Sequence, residues 1–217
     1  MSPENEQSGD SGDVDRIVKA AREALGRAGY ENLKVKSVIR SAGVSVGSFY
    51  RRFRGKQDLM LALLADEARR NTLYLTEVTA HGTPPERVLA WVDAAAGIGF
   101  ADRAGARMRW FTSLPSEVRR QTAKVIEPGG ATDTANPLRR ALADGIKSGD
   151  FPHADPDQDA ESIRGLCSVA ARDESGWFGD NRTDVVGHVA RFVMAALTNP
   201  RPRSAHPEGS AGDGDPG

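Results

Sequence analysis

A single cysteine, Cys167, occurs in 217 residues, which excludes an intramolecular disulfide framework and any all-cysteine metal site. The four histidines, His81, His153, His188 and His206, stand far apart without the spacing of ligands, so neither a metal nor a cofactor is expected. Nowhere do eighteen apolar residues run together, and Ser2 to Asp10 is polar and acidic with no apolar segment. No membrane contact is therefore expected, and the chain reads as soluble and cytoplasmic. Strand-like alternation and internal repeats are missing, as are paired carboxylates and a Ser-His-Asp set. The expected fold is all-α, and an enzyme is not expected.

What is present suffices for a substantial core, since 39% of the residues are hydrophobic. Residues 1–12 are rich in Ser, Gly and acids, and residues 199–217 in Pro, Gly, Ser and Asp, so both ends are expected to be disordered. Between them the apolar spacing predicts a series of helices. The first runs from Asp13 to a stop at Gly29, with Ile17, Ala21, Ala24, Leu25 and Ala28 on one stripe. A second covers about Lys34 to Ala42 and a third Ser45 to Arg52. A long fourth runs from Lys56 through Leu59, Leu63, Leu73 and Leu75 to about Thr79, and a fifth covers Glu86 to about Asp102. Further helices are expected over 104–114, 115–126, 137–147, 157–173 and 183–197, with Asp155 as a cap and Pro156 in the first turn. The last of them is apolar on most of its circumference, which suits a helix packed on its own core on one side and a second copy on the other.

Charge singles out one region. Residues 13–56 hold eleven cations against four acids, a net +7 that leaves −8 for the remainder of a chain whose total is −1. A basic patch on an otherwise acidic molecule is expected where one face meets a polyanion, and equally describes a solvated basic surface. Within it, Ala42-Gly43-Val44-Ser45 reads as the turn of a helix-turn-helix: Gly43 supplies a positive φ, Val44 plugs the angle between helices, and Ser45 caps the third helix. Phe49 and Phe53 would face inward, while Val46, Ser48, Arg51 and Arg52 point away.

The run Ala42-Gly43-Val44-Ser45-Val46-Gly47-Ser48-Phe49-Tyr50-Arg51-Arg52-Phe53-Arg54-Gly55-Lys56 resembles the signature of the TetR family of bacterial transcriptional regulators, over roughly Ile17 to Leu63. The resemblance implies a DNA-binding unit at 13–56 followed by a larger effector-binding and dimerisation domain at 57–198. It also implies a site made of Lys36, Ser45, Val46, Gly47, Ser48, Tyr50, Arg51, Arg52 and Lys56, with Val46, Gly47 and Ser48 approaching bases and Tyr50 and Lys56 holding phosphates. Gly47 has a reason of its own, since a missing side chain lets the helix backbone come close to DNA. Three positions depart from the pattern: Lys34 stands where Ser or Thr is usual, Ile39 where a small residue is usual, and Arg52 where His or Tyr is usual. Lys34 offers no capping oxygen, Ile39 adds bulk between helices, and Arg52 should keep a phosphate contact with a stronger salt dependence. Gly43-Val44-Ser45-Val46-Gly47 also satisfies G-x-S-x-G, but a hydrolase elbow needs a preceding strand, and here a helix precedes it.

A second set, Trp91, Phe100, Met108, Trp110, Phe111 and Cys167, is either plain core or the lining of a pocket for an apolar small-molecule effector, with Asp102, Arg107 and Arg109 as polar anchors. Trp177 and Phe178 have two readings, as a cover for that pocket or as part of a dimer seam. The expected whole is a homodimer joined through its last two helices, binding a double-stranded DNA operator as a repressor that an effector releases by shifting the fourth helix. Two alternatives remain: a helical dimer whose helix-turn-helix contacts proteins, and an enzyme using the helical pocket.

Overall fold

The computed structural model describes residues 3–100, 129–171 and 181–199 and the isolated positions 116, 120, 121, 125, 177 and 178, with side chains described from residue 12 and not at Phe100. Among these residues every element is helical and no strand occurs. The helices are α1 (Pro3–Asn32), α2 (Val35–Ala42), α3 (Val46–Arg52), α4 (Lys56–Val78), α5 (Pro84–Phe100), α6 (Asn136–Ser148), α7 (Pro156–Ala170) and α8 (Arg182–Thr198). The helices expected over 104–114 and 115–126 lie outside the described residues, apart from helical positions at 116, 120 and 121.

The chain builds two apolar clusters. The first gathers Ile17, Ala21 and Leu25 of α1, Val38 and Ile39 of α2, Phe49 and Phe53 at α3, and Leu59, Met60 and Leu63 of α4. The second gathers Leu75 of α4 with Val88, Trp91 and Val92 of α5, Leu138 and Leu142 of α6, Ile163 and Cys167 of α7, and Val185, Val189 and Val193 of α8. Only α4 contributes to both, so the boundary expected after Lys56 falls at the start of a helix that the two units share.

Local chemistry explains several helix breaks and ends. Gly29 (φ 72°) breaks α1 where a stop was expected, and Gly43 (φ 65°) closes α2 in the left-handed region that a side chain would resist. Thr83 and Glu86 form half of a capping box on α5, the Thr83 N–H donating to the Glu86 carboxylate at 2.8 Å. Asp155 caps α7 by accepting from the N–H groups of Asp157 and Gln158, and Asn181 caps α8.

The first helix, α1, begins at Pro3, within the stretch expected as a disordered arm. Leu73 and Tyr74 of α4 point outward, while Thr72 and Leu75 occupy the inner positions. Phe151 is fully buried: the turn after Gly149 folds its ring against Gly145, and its N–H reaches the Gly145 carbonyl at 3.0 Å.

Candidate nucleic-acid interface

The site is built on α3. Ser45 turns its hydroxyl back to accept from the Ser48 N–H at 2.9 Å, which satisfies a donor the first turn would leave open. Phe49 and Phe53 anchor the other side of the helix, their rings 5.3 Å apart in the first cluster. With that flank committed, Val46 (60% exposed), Gly47, Tyr50 (57% exposed), Arg51 and Arg52 form the outer surface. Nothing but the Ser45 hydroxyl, at 3.8 Å, would meet a Cβ placed on Gly47, so the helix backbone is open to close approach. Tyr50 stands edge-on to Phe49 at 5.2 Å, which steadies its ring while leaving the phenol outside.

The second helix contributes a flank to this surface. Lys36, Ser37 and Arg40 are exposed on α2. Lys34 precedes that helix in extended conformation and gives it no side-chain cap, as its chemistry requires. Ile39 packs into the first cluster.

Lys56, the first residue of α4, is held on two sides. Its ammonium lies 4.0 Å above the centre of the Tyr30 ring and 3.4 Å from the Glu31 carbonyl. A cation over an aromatic face keeps its charge while losing freedom, so Lys56 is presented in a fixed place next to the start of a helix, where anions are favoured. Burial raises the Tyr30 phenol above its ordinary value, with Glu31 adding to the shift.

Ser48 does not stand where the sequence placed it. It is 4% exposed, and its hydroxyl donates to the carboxylate of Asp13 on α1, which also pairs with Arg16. The hydrogen bonds from Ser48 and Arg16, with the field of Arg51, hold the Asp13 carboxyl below the usual carboxylate range. A hydroxyl has one proton to give, and here it is given inward. Sequence reasoning passed over Asp13, Tyr30 and a third group, Asp66 of α4. The Asp66 carboxylate is buried and receives Arg22 of α1, Arg69 and Arg70, while Arg22 also reaches Glu67. Arg69 and Arg70 follow Asp66 at i+3 and i+4, a readable signal, whereas nothing local to Asp66 announces Arg22.

The candidate pocket residues fare differently. Trp91 is buried in the second cluster with its indole N–H donating to the Thr134 carbonyl at 3.0 Å. Cys167 is buried in the same cluster, where desolvation pushes its thiol up to about 12, so it packs as a neutral group. The side chain of Phe100, and Asp102, Arg107, Met108, Arg109, Trp110 and Phe111, lie outside the described residues. Trp177 is fully outward, and Phe178 meets His188 edge-on at 5.7 Å. Among the described residues no group of His, Cys, Asp and Glu could hold a metal ion, and no helix is long and apolar enough to cross a membrane.

Residues 17–63, from within α1 to within α4, match the family of bacterial regulatory proteins called tetR. No curated protein matches the chain. Among solved structures, the fold is similar to that of the transcriptional regulator FadR from Bacillus subtilis in complex with stearoyl-CoA (TM-score 0.59, 19% identity, 86% of this chain and 98% of that one). It is similar also to the fatty acid degradation regulator FadR from Bacillus halodurans (0.62, 21%, 85% and 96%) and to a TetR/AcrR-family regulator from Thermobifida fusca (0.59, 20%, 83% and 96%). At these identities the likeness is one of fold.

Proposed function

We infer that this chain, a TetR-like DNA-binding transcriptional regulator whose residues 17–63 belong to the tetR family, acts as a homodimeric repressor released by a small-molecule effector. The observation that carries the DNA-reading part is the outer surface of α3. Val46, Gly47, Tyr50, Arg51 and Arg52 project from a helix whose opposite flank is locked by Phe49 and Phe53, within a segment of net positive charge on a chain whose total is −1. In this reading Val46, Gly47 and Arg51 approach base edges, Tyr50, Arg52 and Lys56 hold phosphates, and Lys36 adds a backbone contact from α2.

Dimerisation is proposed through α7 and α8, where Val169 and Phe192 are exposed beside the buried faces of the same helices. Two reading helices would then meet half-sites about one helical turn apart, roughly 34 Å, or somewhat more. The effector is proposed to contact Trp91, Phe100, Met108, Trp110, Phe111 and Cys167. An effector that weakens DNA binding must itself bind more weakly to the DNA complex.

The test is enrichment of a duplex from a random-sequence library by the full chain, followed by affinity measured at several salt concentrations. Each phosphate contact removed should lower the slope of log affinity against log salt by about 0.9. Lys56→Ala and Arg52→Ala variants that keep both affinity and slope would show the phosphate contacts to be misplaced, and a chain that enriches no duplex would remove the DNA reading altogether.

A further inference from the structure

Asp13 and Ser48 lie 35 positions apart and belong to different helices, yet they make a side-chain hydrogen bond between α1 and the reading helix. Successive residues of a helix are about 100° apart around its axis, so Ser48 holds a flank of α3 adjacent to the one that Phe49 holds. Phe49 and Phe53 secure the depth of α3 through apolar contact, which slides easily. A directional bond from Ser48 to a carboxylate does not slide, and the carboxylate is itself fixed by Arg16. Both halves of Ser48 are thereby occupied: its N–H goes to Ser45 and its hydroxyl to Asp13.

We propose that Asp13 is a positioning residue for DNA reading: by holding Ser48 it fixes the rotation of α3 and so the register at which Val46, Gly47 and Arg51 meet bases. The proposal rests on the DNA reading above. It assigns Ser48 a role through the protein rather than through DNA, and it gives a function to a carboxylate that a site built for a polyanion would otherwise exclude.

The test uses the full chain, the duplex enriched by the wild type, and a scrambled duplex of the same length and composition. Its readout is the ratio of the two affinities. Ser48→Ala, Asp13→Ala and Asp13→Glu should each lower that ratio by roughly five- to tenfold, at or below the loss of one bidentate base contact. Asp13→Asn should keep it, because the amide oxygen still accepts the Ser48 proton. The pair Asp13→Glu and Asp13→Asn separates position from charge: the first keeps the charge and displaces the acceptor by one methylene, the second does the reverse. Should Asp13→Ala not fold, those two variants decide the matter. The combined Asp13→Ala and Ser48→Ala variant should lose no more than either alone, since both remove the same tie. Additive losses, or a loss in Ser48→Ala with none in the Asp13 variants, would mean that Ser48 touches DNA directly and would overturn the proposal. An unchanged ratio with both affinities raised in Asp13→Asn and Asp13→Ala would reduce Asp13 to an electrostatic role and overturn it equally. A wild type that enriches no duplex is a different result, since it removes the DNA reading and not only the part given to Asp13.

Discussion

Replacing Asp66 by alanine should destabilise the protein more than replacing Arg22, although the two form one ion pair between α1 and α4. The Asp66 side chain is 10% exposed, while Arg22, Arg69 and Arg70, which all reach it, are 29%, 52% and 62% exposed. Removing one partner of a fully buried pair costs about 3–5 kcal/mol because an uncompensated charge stays behind in the interior. Here the charges left by Asp66→Ala are cations with partial access to water, and Arg22 retains Glu67. The expected cost is therefore lower, about 2–3 kcal/mol, which includes the loss of hydrogen bonds to a charged acceptor. Arg22→Ala leaves Asp66 with two guanidinium partners, so its cost should be about 1–2 kcal/mol, diminished further by solvent screening. For a chain of this size each kcal/mol moves the midpoint by about 2–4 °C, so the two variants should separate by several degrees in thermal unfolding. The double variant should cost less than the sum by about 0.5 kcal/mol or more, because the residues share a contact. An Arg22→Ala loss exceeding that of Asp66→Ala, or strictly additive losses, would refute the view that Asp66 is the centre of this cluster.

Three further outcomes can be checked by unfolding. Ser45→Ala removes the cap of α3 and should cost about 1 kcal/mol; an unchanged urea midpoint would mean the Ser48 N–H finds another acceptor. Gly145→Ala would put a Cβ 2.2 Å from the buried Phe151 ring, an overpacking worth about 1–3 kcal/mol that Phe151→Leu should partly relieve; if the double variant is no better than the single, the clash is not the cause. Arg87 first, then Lys147, hold the Asp144 carboxyl below its ordinary value of 3.8. A depressed folded value adds stability above the unfolded value and loses it as pH falls through the folded one. Asp144→Asn should therefore flatten the acid limb of stability below about pH 4, and parallel curves for variant and wild type would contradict this.

The parts of the fold that the sequence announces are those fixed by neighbours in the chain. Gly43 and Ser45 act within four residues of themselves, and Phe49 and Phe53 repeat at a spacing that any helix converts into one face. Asp155 and Pro156 are equally local, and α7 begins where they indicate. Ser48 fails the same treatment because its partner is a carboxylate 35 residues away; spacing alone puts it beside Val46 and Gly47, and only tertiary packing turns it inward. The same distinction divides the Asp66 cluster, with Arg69 and Arg70 legible at i+3 and i+4 and Arg22 not. For Trp91 and Cys167, both buried in the second cluster, composition does not tell a pocket wall from solid core, and the indole bond to Thr134 emerges only from the loop that precedes α6.

Sharing α4 between two clusters has a mechanical consequence for the proposed switch. Leu63 belongs to the first cluster and Leu75 to the second, twelve residues apart on one helix, about 18 Å at 1.5 Å per residue. Arg22 ties α1 to Asp66 and Glu67 just beyond Leu63, so the reading unit is fastened to α4 by a polar clamp as well as by its apolar core. A unit fastened in this way turns with the helix rather than bending against it. A rotation of about 10° over that length displaces the far end by about 3 Å, whereas a hydrogen bond near 2.9 Å has ceased to exist by about 3.6 Å. On the proposed reading a few degrees would be enough to break base contacts, and an effector would need to unfold nothing. The prediction that follows sets the two ties apart: Arg22→Ala, which loosens the clamp while leaving α3 and the Asp13–Ser48 bond untouched, should weaken the effector's influence on DNA affinity while the selected-to-scrambled ratio without effector stays unchanged. A variant that loses discrimination but keeps the full effector response would reverse the assignment of positioning to Asp13 and transmission to Arg22.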